Sequence, residues 1–338
     1  MPLDFCGLAD LVWRDGSSEW IFAPIVVQAA GAGKGLGVFA ARDLLPGERL
    51  ISELPLVHWE NPRAVGNSFD KLEHSFNALD PVRRAAFWAF GQSADVYGEK
   101  TSFKGTWLTN ALPIVYDGQP AAQAQSAVDG SSGEAGVFAT VSRLNHACSP
   151  SAHYCWNSKL GQMTVHVLRA VPRGEEITIS YLAASGRVRG ERQRLLQRDF
   201  GFTCACSRCA LSGGALARSE TLQRAIGDLA PDSDPRSGEM LATSRFGAAP
   251  DALIRMLAEE GLPMIWARTT LNSAMAQSNQ PSYWAAQLAE CLRLAMGADH
   301  PSVEELETLR KLRQAMGSAA LDETVTRLRQ RPQRGVRS

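Results

Sequence analysis

Two short stretches hold most of the side chains able to do chemistry. RLNHACSPSAHYCWN, residues 143–157, carries two histidines, two cysteines and two asparagines. FTCACSRC, residues 202–209, carries Cys204, Cys206 and Cys209 as C-x-C-x-x-C. In a tight turn, thiols so spaced can bring their sulfurs within about 4 Å, as a tetrahedral zinc site requires. Structural zinc takes four ligands, so one more must come from elsewhere in the chain. Cys148 is the first candidate; a histidine is the alternative. A Cys148 nucleophile with His146 or His153 as its base is disfavoured, because near neighbours in sequence rarely present the geometry a base needs. Cys6, Cys155 and Cys291 read as small buried hydrophobes.

A third stretch, GAGKGLGVF (residues 31–39), has four glycines ahead of an apolar run. It lacks both the GK[ST] of a phosphate loop and a following helix. Glycines before a strand either let the main chain approach a ligand closely or form a plain hairpin turn.

The elements that must position these residues follow from pattern. Residues 20–30 are apolar and β-branched and predict a strand; 31–41 predict a glycine turn into a second, and 42–57 a turn, a strand and a Pro-limited end. From Ser68 to Gly91 the apolar residues fall at helical spacing. Asp80-Pro81 interrupts them, so two short helices are expected. Residues 117–135 are small and polar, without periodicity, and read as a loop. MTVHVLRAV (163–171) and EEITISYL (175–182) predict strands, and ERQRLLQRDF (191–200) a helix. After Leu211 only helices are expected, around 216–229, 250–260, 263–278, 281–296, 301–317 and 320–331. That shift puts a boundary near residue 210, with a helical C-terminal region over 211–338.

The chain has 338 residues, 45% of them hydrophobic and 21% charged, with 35 basic against 35 acidic side chains. Such a length gives one large domain or two ordinary ones. Zero formal charge and a single knuckle argue against a nucleic-acid-binding zinc protein. No basic start followed by a long apolar core opens the sequence, and no apolar run reaches the ~18 residues of a membrane helix. The expectation is an intracellular protein, in nucleus or cytoplasm, whose cysteines favour metal over disulfides. Nothing in the pattern sets an oligomeric state.

Taken in order, four stretches resemble the SET-domain lysine methyltransferases, over about residues 20–210. GKGLGVFAARDLLPGERL resembles the family's opening glycine segment, and RLNHACSPS its Asn-His-x-Cys-x-Pro-Asn motif. GEEITISYL resembles its Gly-Glu-Glu strand ending in tyrosine, and CACSRC its post-SET zinc knuckle. FKGTWLTNALPI resembles an insert found in fungal members and MYND-containing relatives, yet no MYND finger is present.

The resemblance implies an α+β fold of small sheets with a knot-like crossing, in which the segment after EEITISYL threads beneath the loop carrying RLNHAC. It also implies a helical insert at about 60–115 and a zinc knuckle at 200–210. The activity implied is transfer of a methyl group from S-adenosylmethionine to the lysine of a protein substrate, histone or non-histone. The competing reading is a cofactor-binding interaction protein with little or no turnover.

By that resemblance Tyr181 is the catalytic tyrosine and also borders the cofactor. Lys34, Gly35 and Leu36 offer main-chain groups to the cofactor's amino-acid end. Asn145 bonds its methionine moiety, His146 its adenine edge, and Phe202 stacks on adenine. Asn110 matches a position near the cofactor. Structural zinc falls to Cys148, Cys204, Cys206 and Cys209. Phe200 lies in the lysine channel where many relatives carry tyrosine, which implies room for di- or trimethylation. Ser151 replaces the family asparagine after Pro150, which implies a weaker turn there.

Overall fold

The computed structural model describes residues 24–31, 34–61, 68–98, 100–114, 133–182, 186–229, 250–268, 270–271 and 281–316. The N-terminal part of the 20–30 strand, most of the 117–135 loop, the end of the 263–278 helix, the 320–331 helix and Cys6 lie outside the described residues.

Three small sheets carry the middle of the chain. The first has the order β1 (Ile25–Ala29), β2 (Leu36–Ala40), β10 (Glu176–Ile179), β7 (Asn145–His146). The second is β3 (Arg49–Glu53), β9 (Gln162–Val167), β8 (Ala152–Asn157), and the third is β4 (Val57–Asn61), β6 (Gly133–Val137), β5 (Leu112–Ile114). Neighbours pair antiparallel, except that β10 runs parallel to β7, with Thr178 opposite Asn145 and Ile179 opposite His146. β2 pairs antiparallel with both β1 and β10, so the glycine turn leads straight into the sheet's interior. β8 and β9 are buried nearly throughout, as expected of strands covered on both faces, although they carry His153, Asn157, Thr164 and His166. Their side chains join Val38, Leu50, Ile51, Phe138, Val141, Leu144, Ile177 and Ile179 in one buried cluster.

The insert is helical, as expected: α1 (Ser68–Asn77), α2 (Pro81–Trp88), the short α3 (Ala94–Tyr97) and α4 (Phe103–Asn110). Asp80-Pro81 does interrupt the first two. The Asp80 side chain accepts from Arg83 N at 2.9 Å, and Pro81 opens α2, where a missing N–H costs nothing. Phe76, Phe87, Phe103 and Trp107 pack ring on ring beneath the β4–β6–β5 sheet. One element differs from expectation. Residues 133–135, read as loop, open strand β6, because GEAGV is paired on both sides, to β4 and to β5.

After β10, α5 (Arg189–Phe200) ends on Gly201, whose φ of 72° is the left-handed stop that glycine adopts without a Cβ penalty. The knuckle follows. The C-terminal region is helical over its described residues: α6 (Gly213–Leu229), α7 (Pro250–Glu259), α8 (Pro281–Met296) and α9 (Pro301–Met316), with a 3-10 turn at Met264–Ala267. α8 packs on β8 and β9, which buries Cys155 and Cys291 among apolar side chains. Those two cysteines are core residues, as read. Among the described residues no helix is long and apolar enough to cross a membrane.

Candidate functional site

The parallel pairing of β7 with β10 lays RLNHAC beside EEITISYL and brings Asn145 and His146 next to Tyr181. Ala147 N donates to Ile179 O at 3.0 Å, and Ser151 N to Thr178 O at 3.1 Å. β7 and β10 thus lie side by side, ahead of the segment expected to thread beneath the RLNHAC loop. Ser151 is no weak point: fully buried, it accepts from Thr178 N at 2.9 Å through its hydroxyl, while its carbonyl takes Leu168 N. Serine supplies the bonds the turn requires.

Past the crossing, Cys148 meets the knuckle. The sulfurs of Cys148, Cys204, Cys206 and Cys209 all lie within 4.8 Å of one another; Cys148 Sγ is 3.5 Å from Cys209 Sγ and 4.0 Å from Cys204 Sγ. Four sulfurs about 2.3 Å from one zinc stand roughly 3.8 Å apart, so the arrangement fits. The chemistry of the donor set fits too. Hydrogen bonds among the four thiols push Cys148 and Cys204 up and hold Cys206 and Cys209 down, so the set shares its protons unevenly and part of it is already thiolate. Thiolates are what zinc binds. Arg192 Nη2 stands 3.8 Å from Cys209 Sγ, a buried positive charge beside them. α5 sets the knuckle's register: the Gln193 amide exchanges two hydrogen bonds with the backbone of Cys204, at 2.7 and 2.8 Å, and Arg189 Nη1 donates to the carbonyls of Cys209 and Leu211.

His146 connects the metal cluster to Tyr181. Its Nδ1 accepts from Tyr181 N at 3.0 Å, which places the ring proton on Nε2, 3.4 Å from Cys148 Sγ. Burial drives its pKa down to about 4, so the ring is neutral at pH 7 and this tautomer persists. The Tyr181 hydroxyl donates to Leu144 O at 2.8 Å. Burial, and then the charge of Glu176, push this phenol up, so it stays a donor. Phe200 lies 4.9 Å from the Tyr181 ring, and Phe202 stands edge-on to it at 6.4 Å and 6.2 Å from His146. Tyr181, His146, Phe200 and Phe202 thus form an aromatic corner over the knuckle.

A polar corner adjoins it. Asn145 Nδ2 donates to Glu176 Oε1 at 2.8 Å and to Leu36 O at 3.2 Å, and Lys34 Nζ pairs with Glu176 Oε2 at 3.1 Å. Gly35 takes φ 69° there. Gly37 has no side chain for a reason: a Cβ would stand 2.8 Å from Glu176 Oε1 and 2.9 Å from Asn145 Nδ2. The structure therefore brings together Lys34, Gly35, Leu36, Asn145, His146, Tyr181, Phe200, Phe202 and the four cysteines. Asn110 lies apart from them in its bonding: its amide donates to Gly91 O and Thr106 O within the insert. Glu176 and Gly37 were missed as individual residues, although both lie inside motifs that drew notice.

Glu53 was missed outright. It ends β3, is 2% exposed, and its carboxylate accepts from Val141 N at 2.6 Å and from Thr140 N at 3.0 Å. Burial outweighs these bonds and lifts its pKa from 4.5 to about 7. A carboxyl raised in the folded state favours folding most below its unfolded pKa, and that contribution is lost as pH rises through about 7. Relative to Glu53→Gln, the native protein is therefore expected to lose on the order of 3 kcal/mol between pH 4.5 and pH 8. Urea titrations of both proteins at the two pH values measure this. Equal pH slopes would show that Glu53 does not titrate on folding.

Small sheets, a parallel strand pair and a cysteine knuckle thus meet in one part of the chain. Residues 35–182 match the family model described as the SET domain. The chain is 30% identical over 192 residues to histone-lysine N-methyltransferase set5 of Schizosaccharomyces pombe, a match covering 56% of this chain and 52% of that one. It is 40% identical over 73 residues to histone-lysine N-methyltransferase ATXR4 of Arabidopsis thaliana, covering 22% of each. The chain thus spans about half the length of the first relative and far less of the second. The solved SET domain of LSMT bound to lysine and AdoHcy aligns over 94% of this chain and 90% of that one. With 12% identity and a TM-score of 0.33, the likeness is too slight to carry weight.

Proposed function

We propose that the protein is an S-adenosylmethionine-dependent protein lysine N-methyltransferase with one structural zinc. The observation that carries this reading is the convergence at the β7–β10 crossing. Tyr181, Asn145 and His146 meet there, beside an aromatic corner and above four clustered thiols.

S-adenosylmethionine, when bound, supplies a methyl group on a positively charged sulfur. The chain's residues supply alignment and surroundings. Asn145 and the Lys34–Glu176 pair present amide, ammonium and carboxylate groups suited to an amino-acid end. His146 and Phe202 present ring surface for an adenine, while Phe200 lines the side of the lysine. Tyr181, held protonated, orients the acceptor amine. The apolar walls beside it favour a neutral lysine, which is the nucleophile. With the cofactor bound, the neutral amine would form its bond to the methyl carbon as the methyl–sulfur bond breaks, S-adenosylhomocysteine would leave, and the resulting ammonium would lose a proton to water. No strong general base is required, and the gain comes from placement. Histones, named for the relatives above, are the first substrates to test, and a histone substrate would put the protein in the nucleus or cytoplasm.

The test is transfer of labelled methyl to core histones and to a protein extract, beside calorimetric binding of S-adenosylhomocysteine. Tyr181→Phe is expected to lower turnover by about 10²–10³-fold, the cost typical of a lost preorganised donor, with little change in binding. Binding without transfer to any protein would instead support a cofactor-binding interaction protein. Phe200 bears on product. Its ring lies 4.9 Å from Tyr181 and leaves no hydroxyl to hold the amine. Native enzyme should reach di- or trimethyl product, and Phe200→Tyr should stop earlier. Mass spectra showing only monomethyl-lysine from the native enzyme at saturation would refute this.

A further inference from the structure

Glu53 belongs to neither the metal cluster nor the cofactor corner, yet it reaches the site through one turn. Residues Val141–Arg143 form a 3-10 turn closed by Arg143 N to Thr140 O at 2.9 Å and Leu144 N to Val141 O at 3.1 Å. So short a turn leaves the N–H groups at its start without acceptors inside it. The Glu53 carboxylate, 87 residues away in sequence, accepts those of Thr140 and Val141. Charge-assisted bonds of this kind are about twice as strong as neutral ones. The residue leaving the turn is Leu144, whose carbonyl receives the Tyr181 hydroxyl.

We propose that Glu53 is the positioning residue for Tyr181: by gripping the start of the turn it fixes the Leu144 carbonyl, and that carbonyl sets where the phenol points. Among the described residues, the charged side chain acting on Glu53 is Arg143. Arg143 is itself pinned, with Nε donating to Ala139 O and its guanidinium 4.1 Å over the Phe90 ring. Other grips do not replace Glu53. The Ser142 hydroxyl accepts from Phe138 N, two residues before Thr140, and leaves Thr140 N and Val141 N to the carboxylate. Asn145, one residue past Leu144, is held separately by its pairing with Thr178 and by Glu176. Loosening Glu53 therefore acts on Tyr181 more than on the cofactor corner, so catalysis and cofactor affinity separate.

The kinetic half of this inference rests on the methyltransferase reading; the positional half does not. The experiment uses the full chain labelled with 3-fluorotyrosine, which marks five tyrosines. Tyr181→Phe assigns the Tyr181 fluorine resonance. Glu53→Ala is expected to shift that resonance and to lower turnover on core histones by about 10–100-fold, as a displacement near 1 Å does, while S-adenosylhomocysteine affinity changes by less than about 3-fold. Glu53→Gln keeps an acceptor oxygen in place and should restore both resonance and turnover to within about 3-fold of native. Glu53→Asp, one methylene short, should behave as Glu53→Ala does and serves if the alanine variant does not fold. The proposal is overturned if the alanine and aspartate variants leave the Tyr181 resonance unmoved, or if every variant loses cofactor affinity in step with turnover. If the native chain transfers no methyl group, the methyltransferase reading fails, and the fluorine resonance alone decides the role of Glu53.

Discussion

Replacing Cys148 with serine is expected to strip zinc from the protein and to lower its melting temperature by about 10 °C. Native protein should carry one zinc per chain by elemental analysis. Cys148 is the ligand whose loss matters most, because it alone comes from the β7–β8 connection, while the other three lie within six residues of one another. Without it the knuckle can still turn on itself, but nothing ties it beneath the crossing. Structural zinc in isolated finger peptides contributes about 10–16 kcal/mol of folding free energy at pH 7. Here the sheets and helices fold around their own cores, so only part of that is at stake. A loss of about 5 kcal/mol corresponds to the stated shift for a chain of this size. The effect should reach the aromatic corner, since Phe200 and Phe202 pack on the knuckle. Cys155→Ala, at a buried cysteine bonded to Thr164, is the control and should keep its metal. Native protein that contains no zinc, or a serine variant that keeps it, would overturn the assignment.

How much of this was legible depends on how local each signal is. The C-x-C-x-x-C spacing is local chemistry and reads directly. The Asp80-Pro81 break is equally local, because proline and its cap act on their own turn. α8 was legible to the residue from periodicity alone, since one face of it packs on β8 and β9. Strand β6 was not, because GEAGV has poor strand propensity and forms a strand only with partners on both sides; tertiary pairing overrides such a preference. α4 was equally hidden. Its apolar residues follow no clean helical stripe, and a Cβ at Gly105 would stand 2.1 Å from Gln92 Oε1, so the Gln92 side chain would have to shift to admit one. Glu53 could not be found at all, since ISELP reads as the end of a strand and its partners lie 87 and 88 residues further on. In the candidate site, the residues that would touch ligand sat in recognisable motifs. Those that hold them in place did not, because a supporting contact leaves no spacing in the sequence.

The same distinction gives the second large effect, at Glu260. Its side chain is 7% exposed and faces Arg208, 5% exposed, with Oε2 2.5 Å from Nη2 and 3.1 Å from Nε. The same oxygen also accepts from the Ser219 hydroxyl at 2.7 Å and the Gln223 amide at 3.0 Å. Arg208 belongs to the zinc knuckle, Ser219 and Gln223 to α6, and Glu260 follows α7. One carboxylate therefore fastens two helices of the C-terminal region to the metal site, with Ser149 Oγ donating to Gly261 O beside it. Truncating it strands three donors, one of them a buried cation left with Cys148 O at 3.4 Å. Breaking a buried pair from one side costs about 3–5 kcal/mol, mostly for the charge left behind. Glu260→Ala is thus expected to lower stability by that amount in urea titrations, and to open α6 and α7 to protease before the three sheets. Removing both charges should cost far less, because a well-packed apolar pair is often neutral or better in place of buried ions. Arg208→Met with Glu260→Leu should recover most of the loss. A single variant within about 1 kcal/mol of native, well below the cost of a stranded buried charge, would mean that the pair is wetter than its geometry implies and that the helices are held by their apolar faces alone.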